Sequence, residues 1–525
     1  RSAASGRESQ DLMDASSVVV VGAGIAGLVA ALELSRAGFN VRVLERQETA
    51  GGKIRRLNAS GALIDAGPTV FTMRWVFDRI FADAGVSLDD VVRLTPLRIL
   101  ARHAWSSGGT LDLFSDIDQS ADAIGAFAGP READGFRKFC NRARSIYETL
   151  EEPFIRSSQP SPVSLALGAG LRGLGDMWRI QPFKTLWSAL DDYFRDPRLK
   201  QLFGRYATYC GSSPFEAPAT LMLVAHVEQD GVWIVEDGMY RLADALVDLA
   251  KKSGAVFDFS TEAAEIVARG GRVSGGRLTT GEVIAADAVI VNADCAAVAA
   301  GLLGSAAAAG AHPVRHDQRS LSAITWAINA RTKGFPLVRH NVFFSSNYEA
   351  EFVDLFKRRR LPREPTVYVC AQDRSDDAVM FGDRRERLLL LVNAPPTGDI
   401  DRYTGAEVEA CEERTFSGLE RQGLTIMREP GSAVRTTPAD FNALFPGTGG
   451  ALYGAASHGW TASFSRPSGK TRVPGLYLAG GSVHPGPGVP MAAMSGWLAA
   501  AEFVVDRTSG NSSRGAGMRG GTSMR

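Results

Sequence analysis

Four consecutive valines, Val18 to Val21, run directly into Gly22-x-Gly24-x-x-Gly27. An apolar stretch at helical spacing follows (Leu28, Ala30, Ala31, Leu34). A second apolar run, Val41-Arg-Val-Leu, then closes on Glu45. The order strand, glycine turn, helix, strand, acid predicts a dinucleotide-binding βαβ unit. Gly22 permits the tight turn, Gly24 lets backbone approach a pyrophosphate, and Gly27 lets the helix pack close on the strand. The helix N-terminus offers unpaired N–H groups and the positive end of its dipole to the phosphates. Gly22, Ala23, Gly24, Ala26 and Gly27 are therefore candidate cofactor contacts. Glu45 is placed to accept hydrogen bonds from a ribose diol.

After Glu45 come Arg46 and then Ala50-Gly-Gly-Lys-Ile-Arg55, with Asp65-Ala-Gly-Pro-Thr69 further on. These segments resemble the extended fingerprint of FAD-binding oxidoreductases of the amine-oxidase and carotenoid-desaturase kind, which NAD dehydrogenases usually lack. The resemblance implies FAD as cofactor. It places Arg46, Gly52, Lys53 and Arg55 against the pyrophosphate and flavin, Pro68 and Thr69 at a turn near the flavin, and Ala263 among the cofactor contacts.

The 525 residues suggest two or three domains or one large composite. With 58 basic and 58 acidic residues the chain has no net charge to draw it to nucleic acid, so no nucleic-acid partner is expected. Its 5 cysteines are scattered, form no CxxC and read as reduced thiols. Of the 7 histidines, His312 and His316 have helical spacing, but Pro313 breaks the helix that would align them, so no metal is expected. No apolar run approaches the ~20 residues that cross a bilayer. Residues 1–16 read as a disordered arm and 507–525 as a flexible tail.

The fold expected is α/β, with a discontinuous Rossmann-like FAD-binding domain made of residues 17–100, 225–300 and 470–506. Residues 101–224 and 301–469 are assigned to a mixed-sheet substrate domain with a helical lid. Within the first domain, Gly238–Ala250 is helical with Leu242, Leu246 and Leu249 on one face. Val256–Phe259 is a strand, 261–284 a meander, Ala286–Asp294 a buried strand ending in polar residues, and Met491–Val505 a closing helix. Substrate-domain strands are expected at Ser322–Ala330, Thr366–Cys370 and Leu388–Asn393, and helices at Leu186–Phe194 and Leu199–Ala207.

Segments far apart in the chain resemble the bacterial carotenoid (phytoene) desaturase family. They are Ala62–Val70, Gly231–Gly238, Ala286–Asp294, His340–Ser345, Pro365–Cys370 and Gly480-Gly-Ser-Val-His-Pro-Gly-Pro-Gly-Val-Pro490. Val235–Tyr240 and Val489–Gly496 favour the 1-hydroxycarotenoid 3,4-desaturase branch. The resemblance adds Gly480, Gly481, Val489, Pro490 and Met491 to the flavin contacts. It implies an FAD-dependent removal of two hydrogens from a C–C bond beside a polyene. No Ser/His/Asp or Cys/His constellation stands out, as expected when the cofactor carries the redox chemistry. For the second proton, His484 ranks first as base, ahead of Glu236, Asp237 and Tyr240. The alternatives are a phytoene-type desaturase, an FAD-dependent carotenoid isomerase and, outside enzymes, a Rab-escort-like protein that binds lipidated partners.

A substrate of this kind lives in a membrane. The chain is therefore expected to be peripheral, on the cytoplasmic face of a bacterial inner membrane, with a quinone or dioxygen as electron acceptor. Oligomeric state is open. The stretch Pro153–Trp187, apolar and aromatic with four basic residues against Asp176, suits an anionic lipid surface, and Lys357–Arg360 is a second basic run.

Overall fold

The computed structural model describes residues 16–158, 184–376, 384–400, 403–459, 462 and 466–517. The arm before Ser16 and most of the basic, aromatic stretch 153–187 lie outside the described residues. The valine run forms β1 (Ser17–Val21), the glycine turn leads into α1 (Ile25–Arg36), and the chain returns as β2 (Asn40–Leu44). These strands are the centre of a five-stranded parallel sheet. Its order is Leu476–Leu478, Ala288–Val291, β1, β2, Val256–Asp258.

A parallel sheet covered on both faces needs apolar residues on both, and the valines divide accordingly. Val18 and Val20 pack into a core with α1, the helix Tyr240–Lys252 and the closing helix. Val19 joins Val289, Val291 and the three-stranded meander Ala263–Arg269, Arg272–Leu278, Val283–Ala285 on the other face. Leu242, Leu246 and Leu249 all lie buried against α1's side of the sheet.

The closing helix spans Val489–Gly517. It starts two residues before the expected Met491 and runs past 507, where a flexible tail was expected. Tertiary contacts anchor it at Asp506 and Arg507. Tyr477 Oη donates to Asp506 Oδ2 at 2.7 Å, and Arg507 pairs with Asp287 at 3.2 Å, so residues that look polar and tail-like dock onto the sheet.

The second sheet runs Leu424–Met427, Ser322–Gly334, Glu386–Ala394, Val367–Ala371, His340–Phe344, Ile99–Trp105, Thr110–Phe114. All its pairs are antiparallel except His340–Phe344 with Ile99–Trp105, which makes it mixed. The strand from Ser322 continues past Ala330 because Arg331–Gly334 find a separate partner in Leu424–Met427. A helical layer covers the sheet: Pro130–Leu150, Leu186–Leu190 and Pro197–Gly204. The helix expected over Leu199–Ala207 changes at Gly204 into 3-10 turns over Arg205–Cys210. The Leu186 helix stops at Leu190, short of Phe194. No described helix is long and apolar enough to cross a membrane.

Candidate active site

The site is built where β1 ends. A Cβ on Gly22 would meet Asn292 O at 2.7 Å, one on Gly24 would meet Asn292 Oδ1 at 2.6 Å, and one on Gly27 would meet Gly22 O at 2.1 Å. Each glycine is thus required by backbone or by Asn292, the residue just past the strand Ala288–Val291. Asn292 Oδ1 accepts from Gly27 N–H at 3.1 Å, and its Nδ2 donates to Ala479 O at 3.0 Å. One amide therefore ties the first turn of α1 to the end of the last strand.

The second glycine turn is sewn to the first. Gly51 N–H donates to Ala23 O at 2.9 Å, Gly51 bridges Gly24, and a Cβ on Gly52 would lie 3.1 Å from Gly24 Cα. Gly24 at the N-cap of α1 has no side chain to cap it and Gly27 N–H is taken by Asn292, so the N–H groups of Ile25 and Ala26 are left for an anion at the helix end. Glu45 is buried; Oε2 accepts from Ala23 N–H at 2.7 Å and Oε1 from Gln47 N–H at 2.8 Å. A carboxylate offers about four lone-pair positions, so half of its capacity remains for a ribose diol.

This cradle opens into one cavity of ≈ 940 Å³. Its wall includes Gly22, Gly24, Ala26, Glu45, Arg46, Gly52, Lys53, Arg55, Pro68, Thr69, Ala263, Gly480, Gly481, Val489, Pro490 and Met491, all named from sequence. Ala23 and Gly27 stand behind that wall, acting through an N–H group and through close packing. Arg46 donates to Ala443 O and Leu444 O. Lys53 Nζ donates to Leu452 O at 2.6 Å, and Arg55 to Thr436 Oγ1 at 2.9 Å; burial lowers both pKa values. These cations thus link the cradle to the 436–452 loop. Sequence reasoning missed Arg466, which lines the same wall and donates to the carbonyls of Tyr453, Ala455 and Gly481. Together with the N-terminus of the closing helix it gives that wall a positive potential.

His484 is not part of the cavity wall. Its Nε2–H donates to Phe154 O at 2.9 Å, its ring packs edge-on against Phe154, and burial pushes its pKa down to about 4. It holds a wall residue in place and is not positioned to take a substrate proton. The other candidate bases are also elsewhere: Glu236 pairs with Arg93, Asp237 sits in a left-handed turn, and Tyr240 lies under the Arg56 guanidinium. Lys357, Arg358 and Arg360 of the basic run are taken up by Glu216 and Asp354. No metal-binding group of His, Cys, Asp or Glu occurs among the described residues.

Away from the cradle the cavity turns apolar. Leu150, Phe154 and Ile155 come from the end of the helix Pro130–Leu150 and the turn after it, Leu221, Val224 and Val227 from the helical turns over Ala219–Gln229, and Val342, Leu389 and Leu391 from the mixed sheet. The carboxylates on the wall, among the described residues, are Glu45, Glu262 and Asp294. Glu262 faces Arg46 and Asp294 caps the helix Cys295–Ala299, so all three are committed at the cradle. Polar groups recur at two places deeper in. Thr69 Oγ1 lies 2.7 Å from Tyr368 Oη, which lies 2.7 Å from His340 Nδ1; burial pushes His340 down to about 3, so its ring is neutral. The second place is Arg205 with Tyr209 and Tyr348. Thr69 was named from sequence, and His340 and Tyr368 lie in segments that carry the family resemblance, though with no role assigned there; Arg205, Tyr209 and Tyr348 sit in no motif.

The cradle of bare backbone, helix end and acid fits an FAD: glycines where any Cβ would intrude, on a wall that continues into an apolar lining. Residues 25–504 match the family model of flavin-containing amine oxidoreductases. The chain is 53% identical to hydroxyneurosporene desaturase of Rubrivivax gelatinosus, over 97% of each chain. It is 43% identical to hydroxyneurosporene desaturase of Cereibacter sphaeroides, over 94% of this chain and 98% of that one. Among solved structures, cyclohexylamine oxidase from Brevibacterium oxydans aligns with a TM-score of 0.55 at 14% identity, over 94% of this chain and 99% of that one. The last likeness speaks for the fold alone.

Proposed function

The chain belongs to the flavin-containing amine oxidoreductases and, among them, to the FAD-dependent carotenoid desaturases; we propose that it dehydrogenates the C-3,4 bond of a 1-hydroxy or 1-methoxy carotenoid such as hydroxyneurosporene. The observation that carries this reading is the single cavity that is a glycine-lined dinucleotide cradle at one side and apolar at the other. A polyene chain has no polar handle along its length, and an apolar wall both holds it and excludes water.

FAD, when bound, supplies the two-electron oxidant. The protein's part is positional. Gly22, Gly24, Gly52 and the end of α1 would hold the pyrophosphate, Glu45 the ribose, and Pro68, Thr69, Gly480, Gly481 and the Val489–Met491 turn the ring system. Positive potential from Arg466 and the closing helix would favour the negative charge that accompanies reduction. For the departing proton we assign the hydrogen-bonded line that starts on the wall at Thr69 and Tyr368 and ends at His340 behind it; the wall has no uncommitted carboxylate among the described residues. The electron acceptor is a quinone or dioxygen. A carotenoid dissolved in lipid requires a membrane-bound enzyme, and the basic, aromatic composition of 153–187 supports peripheral attachment at the cytoplasmic face of the inner membrane.

The test is a product assay with purified protein, FAD, membranes and 1-hydroxyneurosporene. Loss of two mass units with a red-shifted polyene spectrum is the expected result. Unchanged mass with altered retention would make the enzyme an isomerase instead.

A further inference from the structure

Two side chains on the apolar wall carry polar atoms with nothing to bond. Tyr348 is 6% exposed and its Oη has no hydrogen-bond partner among the described residues; the same holds for Arg205 Nε. Both residues line the cavity. A buried donor or acceptor left unpaired costs about 1–3 kcal/mol, so two at one place call for an explanation from function.

The surroundings hold them there. Glu228 balances the Arg205 charge and accepts from Tyr206 Oη at 2.7 Å and from Tyr209 Oη. Arg205 Nη2 reaches Tyr209 Oη at 3.4 Å. Tyr348 packs edge-to-face with Phe344 and Phe352 and tilted against Trp187, which fixes its ring. The guanidinium is therefore kept in an otherwise apolar wall by a buried carboxylate and three tyrosines, with its Nε edge unspent. Thr325, the third wall residue with an unpaired buried oxygen, offers one neutral hydroxyl and no charge.

We propose that Arg205 and Tyr348 form the subsite for the tertiary hydroxyl at C-1 of the substrate, and so set which bond of the polyene end is presented for oxidation. The inference rests on the reading of the chain as a 1-hydroxycarotenoid desaturase. Arg205 Nε–H can only donate, whereas a tyrosine hydroxyl donates or accepts. A substrate hydroxyl satisfies both at once, accepting from Nε–H and donating to Tyr348 Oη. A methyl ether satisfies only the first, and an unsubstituted chain end neither.

The position agrees with the chemistry. One carbon separates C-1 from the C-3,4 bond, so the group that grips the hydroxyl has to lie beside the reacting bond. Arg205, Tyr209 and Tyr348 line the same cavity as Tyr368 and Thr69, whose hydroxyls lie 2.7 Å apart, Thr69 being on the turn assigned to the flavin. A subsite at the far end of the cavity would not fix the register of the bond.

The test uses the full-length enzyme with FAD and three substrates: 1-hydroxyneurosporene, its 1-methoxy derivative and neurosporene. Tyr348→Phe removes one oxygen that has no protein partner, so the melting temperature should not fall. The wild type should prefer the hydroxy substrate. In Tyr348→Phe, kcat/KM for that substrate should drop by about 3- to 10-fold, the worth of one hydrogen bond, with no change for the methoxy compound, so that their ratio collapses. Arg205→Lys keeps the charge beside Glu228 but moves the donor; it should weaken both oxygenated substrates and spare neurosporene. Equal losses on all three substrates, or no loss on the hydroxy compound in Tyr348→Phe, would overturn the subsite. A wild type that desaturates neurosporene alone would overturn the 1-hydroxy reading itself, and one inactive on all three would overturn the desaturase assignment.

Discussion

The amide of Asn292 sets how closely the two glycine turns and the last strand approach one another. Replacing it by alanine strands the Gly27 N–H and the Ala479 carbonyl at the base of the cradle. The expected cost is about 1–3 kcal/mol of stability, because buried polar groups left unpaired are penalised by that amount. Flavin retention should fall with it, and denaturant melts together with flavin absorbance after gel filtration would show both. Gly24→Val is more severe, since its Cβ alone would lie 2.6 Å from Asn292 Oδ1; undiminished flavin content in that variant would sink the placement of the pyrophosphate. The glycines were legible in the sequence because a glycine is the trace of an excluded Cβ. Asn292 was legible only as one of the polar residues closing a buried strand, since its partner Gly27 lies 265 positions away. His484 misled because its motif belongs to the flavin wall while its ring turns outward to Phe154.

At the scale of elements, the short helix Tyr348–Phe352 is held to the mixed sheet by one buried acid. Glu351 accepts from Thr366 N–H at 3.0 Å, Thr366 Oγ1 at 2.6 Å and Ser345 Oγ at 2.8 Å. Desolvation nonetheless pushes its pKa up from 4.5 to about 7. The folded state then binds a proton that the unfolded state has already released. Stability from this group is complete below about pH 4.5 and is lost as pH rises through about 7, by about 3 kcal/mol at most. Glu351→Gln should flatten that slope, and urea midpoints at pH 5 and pH 8 would measure it; an unchanged difference between the two would refute the assignment. Since this helix carries Tyr348, the hydroxy-substrate preference should be lost over the same pH range if the helix loosens. Elements built from local pattern, such as β1, α1 and Tyr240–Lys252, could be read directly. The end of the strand Ser322–Gly334 and the 506–507 part of the closing helix could not, because Arg331–Gly334, Asp506 and Arg507 are polar residues held by distant partners.

For the whole molecule, the decisive matter is how a lipid-soluble chain reaches a cavity enclosed between two sheets. At the described ends of the stretch 153–187, Phe154 and Ile155 line the cavity and Thr185 bridges Pro218 on the same wall. Both ends of the basic, aromatic segment are therefore at the cavity. A bilayer contact there would let substrate pass from lipid to the apolar wall without crossing water, which the unfavourable hydration of a polyene demands. Of its basic residues, Arg156 is paired with Glu151 and Glu152 and Lys184 with Asp192. Arg172 and Arg179 lie outside the described residues, and the proposed membrane contact gives them to lipid headgroups. Each basic residue near an anionic surface contributes about 1 kcal/mol, so Arg172→Gln with Arg179→Gln should weaken binding to phosphatidylserine vesicles roughly 30-fold. Flotation of wild type and variant with anionic and with neutral vesicles would read this. Turnover of detergent-dispersed hydroxyneurosporene should be retained if the two arginines serve lipid contact alone. Undiminished flotation of the double variant would move the membrane contact elsewhere on the molecule. Lost turnover in detergent would instead give the segment a role in closing the cavity.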